Sequence, residues 1–243
     1  MEVKTQGDNP TGDVLFASCD SNYFLNHGPA FMMSAIKFKQ NLHLHIVNPD
    51  KHVNNIVERV SKFNNLTFST EQTDLKGIDP RTYYACNRFI VASHVLRLCE
   101  AAIILDIDNI LMNEVQWNNC DIGLFLRDPL PGTVGWEHES THVAAGIVSY
   151  STPLGLDFLN RVSDKIKSYK ELRWFADQNA LWKVYEENKH KLSTFVYDGS
   201  IMDWEFKPDT MLWTGKGPRK YDDPTYVSKD NELTERLIES LHS

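Results

Sequence analysis

The feature that most constrains the fold is a short apolar segment that ends in two acidic residues. Residues 101–105 read Ala-Ala-Ile-Ile-Leu, and Asp106, Ile107 and Asp108 follow directly. A short run rich in Ile and Leu predicts a strand that is buried on both faces, as in a parallel sheet. Open α/β sheets bind their ligands where such strands end, so a functional site is expected at this point of the chain.

The two acids suggest a cation site. On a strand that continues, side chains two residues apart project to the same side, where two carboxylates repel each other unless a cation joins them. Mg²⁺ or Mn²⁺, with phosphate oxygens completing the shell, is the natural partner. The alternative is that one Asp caps the next turn and the other is solvated, because a two-residue motif often arises by chance.

Around this motif, apolar segments alternate between strand and helix patterns. Strands are predicted at residues 14–17, 42–47, 66–69 and 101–105, with a polar loop from 18 to 28 and helices at 31–38, 53–63 and 84–98. Such an alternation predicts a parallel sheet with crossover helices. Beyond it, strands are predicted at 121–126, 143–150 and 193–196, and helices from Thr152, over 175–185 and near the C-terminus.

Composition excludes several classes of protein. The 243 residues suit one α/β domain, and a net charge of -8 argues against nucleic-acid binding. No apolar run is long enough to span a bilayer, and the polar first 13 residues lack a secretory signal. The four cysteines form no CxxC pair, which favours reduced thiols in the cytoplasm over zinc or disulfides.

Six segments carry a resemblance to a known family, in that family's order: residues 16–23, 83–89, 103–112, 143–148, 176–181 and 214–218. They contain Ile-Leu-Asp-Ile-Asp, Ala-Ala-Gly-Ile-Val, Ala-Asp-Gln-Asn-Ala-Leu and Thr-Gly-Lys-Gly-Pro. Together they resemble the GT-A type nucleotide-sugar glycosyltransferases, in particular the glycogenin and lipopolysaccharide-galactosyltransferase-like family. The resemblance covers roughly residues 13–220.

This resemblance implies a single GT-A, Rossmann-like α/β domain with a mostly parallel central sheet flanked by helices. Within it, residues 13–112 would bind the nucleotide, residues 113–220 would face the acceptor, and 221–243 would form a helical tail. The implied activity is metal-dependent, retaining hexosyl transfer from a nucleotide-diphosphate sugar, with UDP favoured. The acceptor would be a glycan, a lipid-linked sugar or a protein, and the enzyme could form oligomers.

The resemblance also assigns roles to residues. Mn²⁺ or Mg²⁺ would be bound by Asp106 and Asp108, and Asp177 and Gln178 would be catalytic. The donor would be contacted by residues of four of the six segments: Phe16, Ala17, Ser18, Asp20, Tyr23, Arg88, Ile107, Gly215 and Lys216.

Three positions depart from the family pattern. Ala144 replaces an Asn that contacts the sugar, and Asn179 replaces the acid that follows the Gln. Leu212 stands where the family has a metal-binding His, which leaves two protein ligands for the ion.

The residues themselves leave alternatives open. Arg88 lies on an apolar helix face, so its guanidinium needs either the donor's phosphates or an internal acid. Lys216, between two glycines, could clamp a diphosphate together with Arg219 and Lys220, or the loop could be a solvated basic surface. Asp177 could cap its helix or complement the helix dipole instead of reacting.

Two further functions compete with glycosyl transfer. Haloacid-dehalogenase-type phosphatases and phosphotransferases also carry Asp-x-Asp after an apolar strand, with the first Asp as nucleophile. Here, however, the motif follows the fourth predicted strand, and no later Ser/Thr, Lys and paired-Asp series is found. A non-catalytic nucleotide-sugar-binding module is the third hypothesis, motivated by the lost Asn and His. An inverting transferase would need a positioned carboxylate, for which Asp177 is the best candidate.

Overall fold

The computed structural model describes residues 6–242. In this part of the chain the strands are β1 (Gln6–Gly7), β2 (Gly12–Asp20), β3 (Leu42–Val47), β4 (Leu66–Glu71), β5 (Cys99–Leu105), β6 (Asn109–Leu111), β7 (Ile122–Leu126), β8 (Val143–Tyr150), β9 (Thr194–Val196), β10 (Met202–Asp203) and β11 (Leu212–Thr214). The helices are α1 (Ser21–Lys37), α2 (Lys51–Val60), α3 (Pro80–Val95), α4 (Gly135–Ser140), α5 (Pro153–Ser168), α6 (Ala176–Asn188), α7 (Arg219–Asp222) and α8 (Pro224–His242).

Eight strands form the main sheet, in the order β1-β4-β3-β2-β5-β8-β7-β9. The four strands β4, β3, β2 and β5 are parallel, as the alternation of the first half predicts. β8 runs antiparallel between β5 and β7, and β9 is parallel to β7. The prediction of a mostly parallel central sheet flanked by helices is therefore confirmed, and both halves of the chain contribute strands to this sheet.

Both faces of the sheet are covered, and the alternation of side chains along β2 shows how. Leu15 and Ala17 pack into a cluster with residues of α1, α2 and α8. Val14 and Phe16 point to the other face, where α3, α5 and α6 pack. Because successive side chains of a strand point to opposite faces, a strand buried on both sides is apolar over most of its length.

A second, three-stranded sheet with the order β10-β11-β6 lies beyond the end of β5. In it β11 pairs antiparallel with β6, and Thr214 lies opposite Asn109. This pairing brings the segment around residue 215 next to the acidic pair. The sequence predicted only a loop at residues 212–220, so β11 is a correction: a three-residue strand is too short for a period-2 pattern to indicate it.

The predicted polar loop at residues 18–28 was also wrong, because α1 begins directly after β2. The Asp20 carboxylate accepts a hydrogen bond from the Tyr23 backbone N–H at 2.8 Å and so caps the helix. Phe24 and His27 are buried on its inner face, and the helix continues past Pro29. The polar residues Ser21 and Asn22 belong to its first turn. None of the helices in the described residues combines the length and apolarity needed to cross a bilayer.

Candidate active site at the ends of the central strands

Asp106 and Asp108 lie in the turn that joins β5 to β6, rather than on one continuous strand. The Asn109 side-chain amide closes this turn by donating to the Asp106 carbonyl oxygen at 2.7 Å. Ile107, between the two acids, is buried in the core below the sheet end. The Asp106 side chain is 42% exposed and that of Asp108 only 10%. The turn therefore presents one carboxylate to solvent and holds the other inside.

Arg88 joins two carboxylates from distant parts of the chain. It projects from the buried face of α3; its Nη1 contacts Asp106, and its Nη2 lies 3.0 Å from Asp177 Oδ2. Burial lowers the pKa of Arg88, but the charges of Asp106 and Asp177 more than offset this and raise the pKa overall. Of the two alternatives for Arg88, the structure contains the internal ion pair, and both of its partners were themselves predicted site residues.

Lys220 forms the second ion pair of the site. Its Nζ lies 2.6 Å from Asp108 Oδ2, and both side chains are about nine-tenths buried. Burial and the neighbouring charge of Asp106 raise the pKa of Asp108, while Lys220 opposes this rise. Burial lowers the pKa of Lys220, and the charge of Asp108 outweighs that effect and raises it.

The loop that contains Gly215, Lys216 and Gly217 lies over the turn that carries Asp106 and Asp108. The Gly215 backbone N–H donates to the Asp108 carbonyl oxygen at 3.0 Å, and the Tyr226 hydroxyl donates to the same oxygen at 2.8 Å. The Lys216 ammonium lies 4.6 Å from the centre of the Trp204 ring. Partial burial and the positive charges of Arg127 and Arg219 lower the pKa of Lys216. Arg219 donates to the Trp204 carbonyl oxygen at 2.7 Å, so Lys216 and Arg219 both lie against Trp204.

The sequence analysis missed Arg127, which follows β7 directly. Its Nε donates to the Thr141 carbonyl oxygen at 2.6 Å, and its Nη2 donates to Gln178 Oε1 at 3.2 Å. Burial lowers the pKa of Arg127. A charged residue immediately after an apolar strand is the same signal that identified Asp106, and it could have been applied here.

The first turn of α6 supplies Asp177 and Gln178, and both are buried. Asp177 is the partner of Arg88, and Gln178 is the partner of Arg127. The left-handed conformation of Phe175, with φ of 67°, turns the chain into this helix. Asp177 makes no side-chain cap of α6, so capping was wrong, but it is the acid in the first turn of the helix, where its charge complements the helix dipole.

The predicted donor-binding residues of β2 and α1 lie in two different environments. The side chains of Phe16 and Ala17 are fully buried in β2, and that of Ser18 is nearly so. Ser18 Oγ has no hydrogen-bond partner among the described residues. Tyr23 is 37% exposed on α1, and its hydroxyl lies 3.3 Å from the Lys220 ammonium. Tyr23 therefore lies at the acid site, whereas the side chains of Phe16 and Ala17 face the core.

The side chains around the acid pair do not fit a divalent cation well. Within residues 6–242, no three His, Cys, Asp or Glu side chains form a group that could bind a metal ion. Leu212, at the position of the family's His, is fully buried in β11. Asp106 and Asp108 are each paired with a protein cation, Arg88 and Lys220. The Mn²⁺ or Mg²⁺ expected from the sequence stays a prediction.

No protein-family model and no curated protein sequence matches the chain. Among solved structures, the bifunctional glycosyltransferase WbbM superposes with a TM-score of 0.63 at 11% identity, over 94% of this chain and 51% of WbbM. The chain therefore spans about half the length of WbbM. The galactosyltransferase LgtC, in complex with donor and acceptor sugar analogues, superposes with a TM-score of 0.61 at 14% identity, over 93% of this chain and 96% of LgtC.

An active-site glutamine-to-glutamate variant of LgtC superposes equally well, with a TM-score of 0.61 at 13% identity over 94% of this chain and 95% of the variant. Similarity at this level of identity identifies the fold, which is that of the GT-A glycosyltransferases. A fold can support many activities, so the function has to be argued from the site.

Proposed function

We propose that this protein is a glycosyltransferase that moves a hexosyl group from a nucleotide-diphosphate sugar to an acceptor hydroxyl. The observation that carries the proposal is the convergence of charged side chains where β5 and β7 end. Arg88 joins Asp106 to Asp177, and Lys220 pairs with Asp108 beside them. Ligands of open α/β sheets bind at this end of the strands. The GT-A fold supports the assignment.

The cations suit a diphosphate leaving group. In the transfer, the bond between the sugar C1 and the phosphate oxygen breaks, and a bond from C1 to the acceptor oxygen forms. The departing diphosphate gains negative charge, and cations placed beforehand stabilise that charge in a site from which water is excluded. Lys216 and Arg219, which both contact Trp204, and Arg127, which donates to Gln178, are the cations that would supply such charge. We favour UDP as the nucleotide, on the sequence resemblance.

Gln178 is our candidate for a contact with the donor sugar. The LgtC variant has its substitution at an active-site glutamine. Here Gln178 lies in the first turn of α6 and accepts a hydrogen bond from Arg127, which fixes its side-chain orientation. Its amide nitrogen can then donate to a sugar hydroxyl.

Asp177 is paired with the guanidinium of Arg88, so we assign it a positioning role rather than that of a general base. Without a dedicated base, we propose retention of configuration, in which the acceptor proton passes to the departing phosphate. An inverting reaction would instead place this proton on Asp177. The anomeric configuration of the product therefore distinguishes the two courses.

We place the acceptor in a groove next to Arg127. This groove has a volume of about 500 Å³ and is lined by Leu126, His142, Trp182 and Tyr185, among others. The rings of His142 and Trp182 stack with 3.9 Å between their centres. Aromatic faces beside polar groups suit a sugar ring.

The proposed location is the cytoplasm. All four cysteines, which lie in the described residues, are free thiols. Cys19 and Cys86 are buried, and burial raises the pKa of each thiol, so both are inert packing residues. This cysteine chemistry suits a reducing compartment.

The test of the proposed function is release of nucleoside diphosphate from a panel of nucleotide sugars, with glycan acceptors and with Mn²⁺ or EDTA. Turnover of one donor is expected, with a glycosidic product identified by mass spectrometry. Binding of a nucleoside diphosphate without turnover would indicate a binding module instead. Release of inorganic phosphate from phosphate esters would favour the haloacid-dehalogenase-type alternative.

A further inference from the structure

The ion pair between Lys220 and Asp108 occupies the position at which a divalent cation was expected. Its N–O distance of 2.6 Å is that of a charge-assisted hydrogen bond, and both side chains are about nine-tenths buried. A metal ion that bound Asp108 would have to displace this ammonium and leave it buried without its carboxylate. Such an unpaired buried charge is strongly unfavourable.

Several neighbours hold the Lys220 ammonium in place. It lies 3.3 Å from the Tyr23 hydroxyl, 4.9 Å from the centre of the Tyr23 ring and 5.7 Å from that of Tyr221. Its aliphatic stem crosses Gly215, where an added Cβ would come within 2.7 Å of Lys220 Cβ. The lysine is thus packed and oriented over its whole length, unlike a mobile surface lysine.

The other acid is also neutralised by a protein cation. Asp106 is paired with Arg88, whose second amino group is paired with Asp177. Three carboxylates and two protein cations therefore form one cluster. Lysine carries three N–H donors, of which the described residues take one through Asp108 and a second through Tyr23. A third remains for an anionic ligand.

We propose that the Lys220 ammonium, paired with Asp108, replaces the divalent cation. The protein then binds a nucleoside diphosphate without a metal ion. The inference rests on the proposed function for the identity of the ligand. The ammonium bridges the acid and the diphosphate oxygen, as a metal would, but with one positive charge. Arg127, Lys216 and Arg219 supply the additional charge that a single ammonium lacks.

Calorimetry of UDP binding in EDTA and in excess Mn²⁺ tests this directly on the wild-type protein. UDP is expected to bind in EDTA, with an affinity that Mn²⁺ changes by less than about twofold. If EDTA abolishes binding and Mn²⁺ restores it, the inference is overturned and the proposed function stands. If neither UDP nor another nucleoside diphosphate binds under either condition, the proposed function itself fails.

Variants at Lys220 provide a second, independent test. Lys220→Met keeps most of the aliphatic side chain and removes the charge, so UDP affinity in EDTA is expected to fall by about tenfold or more. Mn²⁺ is then expected to restore binding, because Asp108 has lost its competing cation. Lys220→Arg keeps the charge and is expected to retain part of the metal-free affinity. Circular dichroism checks that each variant is folded.

Lys229→Met, at a lysine of α8 paired with Glu232 outside the cluster, is the matched control and is expected to bind UDP as the wild type does. A Lys220→Met protein that is folded and binds UDP in EDTA as tightly as Lys229→Met would overturn the inference.

Discussion

Arg88 and Asp177 are 89 residues apart in sequence, yet their side chains meet at 3.0 Å in a site where both are about 95% buried. The same guanidinium contacts Asp106 in the turn after β5. Arg88 thereby connects α3, the acid turn and the start of α6. The positions of two predicted functional acids depend on this one side chain.

Replacing Arg88 should therefore affect both stability and activity. Arg88→Met leaves two carboxylates without their shared cation, and breaking a buried ion pair costs about 3–5 kcal/mol in the free energy of unfolding. Arg88→Lys is expected to lose most of the transferase activity too, because one ammonium cannot contact both acids as the guanidinium does. Urea denaturation and donor turnover are the measurements.

The control for Arg88 is Arg161→Met, which removes an exposed pair with Asp157 on α5. Exposed ion pairs of this kind contribute little to the free energy of unfolding. Equal losses of stability in the Arg88 and Arg161 variants would contradict the bridging role.

Asp108→Asn is expected to lower both nucleotide binding and stability. The change leaves Lys220 buried beside a neutral amide, at a cost of about 3–5 kcal/mol. Combining it with Lys220→Met removes both charges, so the double variant is expected to recover most of this stability without recovering activity. A double-mutant cycle by urea denaturation measures the coupling. Additive effects would show that the two residues do not interact energetically.

Gly215→Ala tests the close packing of the loop. An added Cβ would lie 2.7 Å from Lys220 Cβ and 3.2 Å from Tyr226 Cζ, so the Lys220 stem has to move. Transfer is expected to fall several-fold at least, with a smaller loss of thermal stability. At Gly199 a Cβ meets no atom within 4 Å, so Gly199→Ala is the matched control. Wild-type kinetics in Gly215→Ala would mean that the position of Lys220 tolerates this shift.

Lys216→Ala is expected to weaken binding of a nucleoside diphosphate while barely changing that of the free nucleoside. Lys216 shares its surroundings with Arg127 and Arg219, and the proposed role of this cluster is to bind the diphosphate. Each lost charge-assisted contact costs about 1.5–3 kcal/mol. Calorimetry with uridine and UDP measures the difference. An equal loss for both ligands would place Lys216 outside the diphosphate site.

The lowered pKa of His43 predicts that the free energy of unfolding depends on pH, apart from any effect of the active site. Burial, and then the nearby His45, lower the pKa of His43 from 6.5 to about 3. Its ring nitrogens are hydrogen-bonded to Thr67 and Ser69. Between about pH 6.5 and pH 3 the unfolded chain binds a proton at His43 that the folded protein does not. The free energy of unfolding therefore falls as the pH is lowered through this range.

The slope that His43 contributes approaches about 1.4 kcal/mol per pH unit within that window. His43→Gln removes the titrating group and is expected to flatten the curve measured by urea denaturation at several pH values. His52→Gln, at an exposed histidine of α2, is the control. The same slope in the wild type and in His43→Gln would exclude His43 as its source.

Local patterns in the sequence determined much of the fold. Segments rich in apolar residues predicted β3 and β8 with the bounds that the structure has, because strands inside a sheet bury most of their side chains on both faces. Thr152, followed by a proline, predicted the start of α5, and the Thr152 hydroxyl does accept from the Gly155 N–H there. The order of these elements was enough to predict the parallel half of the sheet.

The pairing of charges in the site was decided only by the tertiary structure. Asp108 and Lys220 are 112 residues apart, and they meet because β11 pairs with β6 and carries the following loop to the acid turn. The sequence had grouped Lys220 with Lys216 and Arg219, its neighbours along the chain, as phosphate ligands. A local pattern determines which residues are charged and which element they follow. It does not determine which opposite charge is buried beside them, because that depends on how distant segments cross.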